Sequence, residues 1–195
     1  MAKILVFAGS ARRDSLNKKL AGAGVSAVRT AGGEPTFLDL DDYPMPVYHG
    51  DLESEQGMPE GAQRVRELFM SHEALLIASP ENNQSLSSLL KNTLDWLSRG
   101  IGDGKGPNSG LAPYRGKVAG IMNATPGPYG GVRHLIHLRQ VLSGLGVIVL
   151  PGQVQLARAD HAFDAAGSLT DEGALKALKS LATSLVEVTG KLRVG

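Results

Sequence analysis

Five short apolar segments alternate with stretches of helical periodicity along this chain, and no other feature restricts its fold as strongly. The segments comprise residues 4–8, 34–40, 73–80, 117–123 and 146–150. After each one, directly or beyond a loop, apolar residues recur three or four positions apart, as on the buried face of a helix. Strands that alternate with helices form parallel sheets, because each helix returns the chain in a right-handed crossover. The sequence therefore predicts an α/β fold with five strands and five helices.

The predicted architecture is flavodoxin-like, with a five-stranded parallel sheet of order 2-1-3-4-5 and helices on both faces. The length suits one domain, so we expect a single unit over residues 1–195. This order brings three loops, 9–17, 80–85 and 124–131, to one edge of the sheet beside its switch point. Open α/β sheets bind ligands there. We therefore expect a functional site that combines residues from these three loops.

Three other stretches lack clear periodicity. We interpret residues 41–57 and 100–113 as loops, because both contain several Gly and Pro residues. Residues 152–169 are expected to be irregular, after a fifth strand that ends at position 150. The third predicted helix has Leu86 on its buried side, and the last one has Thr170 as its N-cap.

The first of the three loops carries several groups that donate hydrogen bonds to phosphate. It reads Gly9-Ser-Ala-Arg-Arg-Asp-Ser-Leu-Asn17 and leads from a strand into a helix start, whose free N–H groups attract anions. Hydroxyl, amide and guanidinium side chains add further donors. The alternative is ordinary turn chemistry, with Ser15 as a helix N-cap. Neither a P-loop nor a G-x-G-x-x-G motif is present, so a terminal monophosphate fits better than a pyrophosphate.

The second and third loops offer groups that suit a flat ring. Residues 80–85 read Pro-Glu-Asn-Asn-Gln-Ser and supply amides, a hydroxyl and backbone N–H groups at a helix start. These groups match the alternating donors and acceptors on the edge of a flavin or pyrimidine-like ring. Residues 124–131 are rich in Gly and Pro, so their backbone can lie close to a flat ligand. The alternative for both loops is a plain connection, since the same residues are common in turns.

Composition excludes several classes of function. A net charge of +1 gives no electrostatic reason to expect a nucleic-acid or membrane partner. The chain has no cysteine, which excludes disulfides, thiol catalysis and cysteine-ligated metal sites. The N-terminal apolar run is too short for a signal peptide or a membrane span, so we expect a cytoplasmic protein.

Two histidines, His134 and His137, lie three positions apart on a predicted helix and could share one face. No third ligand follows at a suitable spacing, so we expect no metal site. Both side chains are expected at the surface or at an interface.

Three motifs together resemble the NAD(P)H-dependent FMN reductases, a family that includes quinone and chromate reductases. The first is Gly9-Ser-x-Arg-x-x-Ser-x-Asn17. The second is Pro80-Glu-x-Asn83, followed by Leu90-Lys-Asn-x-x-Asp-Trp96. The third is Gly130-Gly-x-Arg133, followed by His137-Leu-Arg139. The resemblance extends from about residue 3 to residue 151.

The resemblance implies that FMN binds to all three loops. Ser10, Arg12, Ser15 and Asn17 match the family's phosphate site. Pro80, Glu81, Asn82 and Asn83 match the turn that hydrogen-bonds the isoalloxazine ring. Thr125 falls where the family usually has a serine at the flavin, and Leu16 and Ser85 complete the predicted set.

Two positions depart from the family pattern. Asn82 replaces the usual tyrosine, and Ser87-Ser88 replaces a Pro-Gly pair. A tyrosine at position 82 would form a wall beside the flavin, so its absence implies a differently shaped substrate pocket. The FMN site is less affected, because that turn is expected to bind the ring largely through its backbone.

The implied function is an FMN-dependent oxidoreductase that takes hydride from NADPH or NADH by a ping-pong mechanism. The acceptor would be a quinone, a chromate-like oxyanion, an azo compound or free flavin. No catalytic side chain is expected, since the cofactor carries the chemistry. A homodimer or homotetramer would complete the open face of the site. One alternative is a flavodoxin-type electron carrier without its own NAD(P)H turnover, and another is a regulatory or scaffold protein that has lost turnover.

Overall fold

The computed structural model describes residues 1–192, which form a parallel sheet covered by helices on both faces. The sheet strands are β1 (Lys3–Ala8), β2 (Glu34–Asp39), β3 (Ala74–Ala78), β6 (Val118–Ala124) and β7 (Ile148–Leu156). A separate hairpin consists of β4 (Glu81–Asn82) and β5 (Ser85–Leu86). The helices are α1 (Leu16–Thr30), α2 (Gly50–Gln56), α3 (Glu60–Ser71), α4 (Ser88–Leu97), α5 (Val132–Gly144) and α6 (Glu172–Leu192).

The strand order is β2-β1-β3-β6-β7, and all four pairings are parallel. Counted along the sequence, the five sheet strands have the order 2-1-3-4-5, which confirms the predicted architecture. Alternate residues of β1 face opposite sides of the sheet. Ile4 and Val6 pack with α1 and α6, whereas Leu5 and Phe7 pack with α3, α4 and α5. The two apolar layers hold the strand ends in place and thereby position the loops that follow them.

Residues 41–57 and 152–169 contain regular secondary structure that the sequence-based prediction does not include. Residues 41–57 contain the short helix α2, which buries none of its residues and so has no periodic apolar face. Strand β7 continues to Leu156, into the segment expected to be irregular. Its register with β6 shifts between Ala119 and Ile121. Such a bulge accommodates Pro151, which has no N–H for the ladder.

Two predicted helix starts are also wrong. Leu86 belongs to β5, and α4 begins only at Ser88. Thr170 does not cap the last helix: α6 begins at Glu172, and the Thr170 hydroxyl donates to the carbonyl oxygen of Ala162. The carboxylate of Asp171 is the cap, since it accepts a hydrogen bond of 2.7 Å from the Ala174 N–H.

None of the helices within residues 1–192 has the length and apolar character needed to cross a membrane.

Candidate functional site

A cleft of about 370 Å³ lies at the carboxyl edge of the sheet, between the three loops identified in the sequence. Its size is within the usual range for small-molecule sites. Of the predicted site residues, those on the cleft are Ser10, Arg12, Ser15, Leu16, Asn17, Pro80, Glu81, Asn82 and Thr125. Asn83 and Ser85 do not line it. The prediction missed Gly9, Ala11, Ser87, Ser88, Leu89, Ala124 and Pro126.

A larger cavity of about 740 Å³ lies between α1 and α6, away from these loops. Small apolar side chains such as Ala23 and Ala27 form much of its wall. Volume therefore does not identify the functional site in this fold. The smaller cleft is the better candidate because it lies at the switch point and is lined by polar groups from three loops.

The first loop offers two hydroxyl groups and the backbone N–H groups at the start of α1 that have no intrahelical acceptor. Ser15 is the N-cap of α1, and its oxygen accepts a hydrogen bond from the Lys18 N–H. The Ser10 oxygen accepts from the Arg12 N–H. Neither hydroxyl donates its proton to another group among residues 1–192. Because Ser15 caps the helix through its oxygen and keeps its proton, the N-cap and phosphate interpretations are compatible.

The Arg12 side chain is exposed and donates to the carbonyl oxygen of Asp14 at 3.0 Å. A guanidinium group has five N–H donors, so this bond leaves several for a ligand. The first-turn N–H groups of Leu16 and Asn17 have no intrahelical acceptors. Together with the positive end of α1, these groups form a donor set that suits a phosphate dianion.

Asn17 is buried, and its side chain binds the protein itself. Its amide nitrogen donates to the Ala124 carbonyl oxygen at 2.8 Å, and its amide oxygen accepts from the Ala124 N–H at 2.9 Å. The amide predicted to bind phosphate therefore joins the start of α1 to the end of β6. Its backbone N–H remains available at the helix start.

Ser87 joins the first loop to the second. Its hydroxyl donates to the Gly9 carbonyl oxygen at 2.6 Å and accepts from the Leu90 N–H at 3.1 Å, as the N-cap of α4. A Cβ at Gly9 would lie 2.9 Å from the Leu90 Cβ, so only glycine permits this approach. The family resemblance identifies Ser87 only as a departure from the usual Pro-Gly pair. A serine directly before a helical apolar run is itself an N-cap signal and could have identified it.

Glu81 leads from β3 into the β4–β5 hairpin and joins the second loop to the third. Its carboxylate accepts a hydrogen bond of 3.4 Å from the His134 N–H in the first turn of α5. Asn83 and Gln84 form the hairpin turn with positive φ angles of 49° and 67°. Farther along the hairpin, the Ser85 hydroxyl lies 3.1 Å from His137 Nδ1.

His134 is fully buried within the subunit, which contradicts its predicted place at the surface or at an interface. Its Nδ1 donates to the Gly131 carbonyl oxygen at 2.8 Å, because a carbonyl can only accept. Burial lowers the pKa of His134, so the ring is neutral at pH 7. Gly131 has a φ of 70°, and a Cβ there would overlap the side chain of Asn123. The glycine turn thus fits closely between two polar side chains that belong to β6 and α5.

The residues described here contain no group of three His, Cys, Asp or Glu side chains placed to hold a metal ion. The cleft is instead suited to an organic ligand. Its donors at the start of α1 fit a phosphate, and residues 80–82 and 124–126 line a space for a flat ring. This set of groups fits FMN.

Comparisons with known proteins agree with this geometry. A family model described as NADPH-dependent FMN reductase matches residues 2–161. An NAD(P)H-dependent FMN reductase from Pseudomonas aeruginosa is 33% identical over 192 residues, covering 98% of this chain and 97% of that protein. A 2-hydroxy-1,4-benzoquinone reductase from Burkholderia sp. is 32% identical over 179 residues, or 91% of each chain.

Among solved structures, a flavoenzyme NAD(P)H:(acceptor) oxidoreductase from Paracoccus denitrificans is similar to this chain. The TM-score is 0.79, the sequences are 28% identical, and 98% of each chain is covered. The family match spans most of the sequence and includes all three loops of the cleft, which confirms the resemblance seen in the motifs. This chain belongs to the family of NADPH-dependent FMN reductases.

Proposed function

We propose that this protein passes electrons from NADPH or NADH, through FMN held in the cleft, to a quinone by a ping-pong mechanism. The observation that carries the proposal is the convergence of three polar loops on one cleft, in a chain of the NADPH-dependent FMN reductase family. Chromate-like oxyanions, azo compounds and free flavin are alternative acceptors. A quinone is favoured because similar proteins from Burkholderia and Arabidopsis thaliana are named as quinone reductases.

Each wall of the cleft would hold a different part of FMN, with residues 1–195 as one FMN-binding domain. Ser10, Arg12, Ser15 and the N–H groups of Leu16 and Asn17 would bind the phosphate. The backbone of residues 80–82 and of Thr125 would border the ring. When bound, FMN supplies two-electron redox chemistry, and the protein supplies orientation and electrostatics.

The helix starts around the cleft suit an anionic ligand. The first residues of α4, Ser88 and Leu89, line the cleft beside the start of α1. Helix N-termini carry partial positive charge, so they stabilise a phosphate and the added negative charge of a reduced ring. The one carboxylate on the cleft, Glu81, bonds the start of α5.

A flavodoxin-type carrier, the main alternative, would be expected to sandwich the ring between aromatic side chains. The residues that line the cleft include no aromatic side chain. Tyr129, the aromatic residue of the third loop, is 66% exposed and lies 5.2 Å from the Arg133 guanidinium. The absence of aromatic side chains from the cleft favours an enzyme over an electron carrier, because a flavin ring that no aromatic side chain covers stays accessible to a substrate.

We further propose a homodimer or homotetramer that uses the outer face of α5. Val132 and Ile136 lie one turn apart on this helix and are 37% and 62% exposed. The helix directly follows the third loop, so a second copy placed here would approach the cleft. Because the reductant NAD(P)H is a cytoplasmic metabolite, we place the enzyme in the cytoplasm.

Anaerobic titration of the purified, FMN-reconstituted protein tests the function. The yellow flavin absorbance should bleach on addition of NADPH or NADH and return on addition of a benzoquinone. Initial rates at several quinone concentrations should give parallel double-reciprocal lines, as ping-pong kinetics requires. A protein that binds no FMN and oxidises no NAD(P)H would contradict the proposal. Slow NAD(P)H oxidation without stimulation by quinone would instead indicate an electron carrier.

A further inference from the structure

Three contacts join the three cleft loops in pairs. Asn17 joins the first loop to the end of β6, where the third loop begins. Ser87 joins the second segment back to Gly9 in the first loop. Glu81 joins the start of the hairpin to α5, which follows the third loop. These contacts within the protein hold the walls of the cleft together without a ligand.

The Glu81 contact is the weakest of the three. Its distance is 3.4 Å, whereas the bonds made by Asn17 and Ser87 to the other loops measure 2.6–2.9 Å. The Glu81 side chain is 20% exposed, and water can compete for it. Of the three contacts, the one between Glu81 and His134 is thus the most easily broken.

His134 provides the other half of this contact. Its backbone N–H donates to Glu81, while its side chain donates to the Gly131 carbonyl oxygen at 2.8 Å. One residue therefore holds the hairpin and the glycine turn of the third loop together. Within the described residues its Nε2 has no hydrogen-bond partner, so Nδ1 alone carries the side-chain contribution.

We propose that Glu81 and His134 are positioning residues that set the distance between the hairpin wall and the third loop. Both act on the ligand through the backbone rather than by touching it. The carboxylate of Glu81 faces the positive end of α5, which stabilises it and directs its charge away from the ring. This inference rests on the proposed function only in taking FMN as the ligand between the two walls.

Two amide substitutions of His134 test whether its hydrogen bond to Gly131 positions the third loop or whether the side chain only fills space. In His134→Asn, the side-chain nitrogen falls near the place of Nδ1 and can still donate to Gly131. In His134→Gln, the amide reaches toward the place of Nε2, and that carbonyl keeps only the Leu135 N–H as a donor, at 3.1 Å. We expect the FMN Kd of His134→Asn to stay within about threefold of wild type and that of His134→Gln to rise about tenfold.

Glu81→Ala tests the contact between the Glu81 carboxylate and the His134 N–H. Glu55→Gln, on the exposed surface of α2, is the control. Hydrogen exchange of the protein without FMN should accelerate in residues 81–86 of Glu81→Ala and stay unchanged in β3. The FMN Kd, from quenching of flavin fluorescence, should rise about fivefold in Glu81→Ala and remain unchanged in Glu55→Gln.

Two outcomes would overturn the inference. Equal FMN affinities for the two His134 amide variants would show that Nδ1 does not position the turn. Weaker FMN binding in Glu81→Ala with unchanged hydrogen exchange would show that the carboxylate touches the ligand directly. If wild type bound no FMN, the proposed function would fail, and hydrogen exchange without FMN would still decide whether the contact holds the hairpin.

Discussion

The side chain of Asn17 and the backbone of Ala124 form two hydrogen bonds, although 107 residues separate them in the sequence. Asn17 lies in the first turn of α1, and Ala124 is the last residue of β6. The pair therefore holds the helix start that would bind phosphate against the strand end that would border the ring. Because both bonds are buried, their loss should affect stability and ligand binding together.

Asn17→Asp should lower the free energy of unfolding by about 1–3 kcal/mol, because a carboxylate cannot donate to the Ala124 carbonyl oxygen. Urea denaturation measures this loss, and flavin fluorescence measures the accompanying loss of FMN affinity. Asn92 is a matched control, since its amide also bonds two backbone groups, those of Tyr48 and Pro46, away from the cleft. Asn92→Asp should lower stability and leave FMN affinity unchanged. Equal FMN affinities in the two variants would contradict the assignment.

The strand order and the cleft could be predicted because they follow from local patterns. An apolar run such as residues 73–80 shows a buried strand, and the rules for parallel sheets then place the loops after strands 1, 3 and 4 at one edge. Element boundaries were less predictable where the apolar pattern is absent or is interrupted by proline. Helix α2 buries no residue, and the bulge in β7 admits Pro151, which would normally end a strand.

The contacts within the cleft could not be predicted, because each depends on a partner far away in the sequence. Asn17 looked like a ligand-binding residue, yet its amide bonds Ala124. His134 looked like a surface residue, yet it is buried with Gly131 as its partner. A side chain's type shows that it will form hydrogen bonds, but only the packed structure shows with which group.

Arg12→Ala should weaken FMN binding by about 1–3 kcal/mol, because it would remove the proposed charge-assisted hydrogen bond to phosphate. The adjacent Arg13 is the control, since it is also exposed and does not line the cleft. Arg13→Ala should leave the FMN Kd within about twofold of wild type. Both variants should keep the unfolding midpoint of wild type. Similar losses of affinity in both variants would point to general electrostatic attraction instead of a specific site.

Ser15 has two roles, as the N-cap of α1 and as a proposed phosphate donor. Ser15→Ala should lose about 1 kcal/mol of stability with the cap and should also bind FMN more weakly. Ser15→Asp should retain the cap, because Asp is an equally good N-cap, but repel the phosphate. Thermal unfolding without FMN and FMN titration together separate the two roles. If Ser15→Asp bound FMN as well as wild type, the phosphate would have to lie elsewhere.

Gly131→Ala should destabilise the protein by about 1–3 kcal/mol, because a Cβ would be strained at a φ of 70° and would overlap Asn123. Gly146 is the matched control, since its φ is 88° and no atom lies within 4 Å of the place of its Cβ. Gly146→Ala therefore incurs only the backbone strain. Urea denaturation of both variants should show the larger loss for Gly131→Ala. Equal losses would mean that Asn123 moves aside without cost.

The buried His134 should make stability depend on pH. Burial lowers its pKa in the folded protein below the ordinary value of 6.5; the hydrogen bond to Gly131 and the charge of Glu81 oppose this shift, and His137 adds to it. As the pH falls below 6.5, the unfolded chain therefore binds a proton more readily than the folded one, and stability decreases. The free energy of unfolding of wild type minus that of His134→Asn should be constant above pH 7 and fall below pH 6.5. A difference independent of pH would show that the histidine is protonated equally in both states.

Ile136→Asp should dissociate the proposed oligomer, because it places a charge in the apolar face of α5. Ile136 is 62% exposed, so the substitution should cost the isolated subunit little stability. Leu175 on α6 is the control, since it is also an exposed apolar residue, at 43%, and lies on another helix. Light scattering coupled to size-exclusion chromatography should show a monomer for Ile136→Asp and an unchanged oligomer for Leu175→Asp. If wild type were itself a monomer, or if only Leu175→Asp dissociated the protein, α5 would not be the subunit interface.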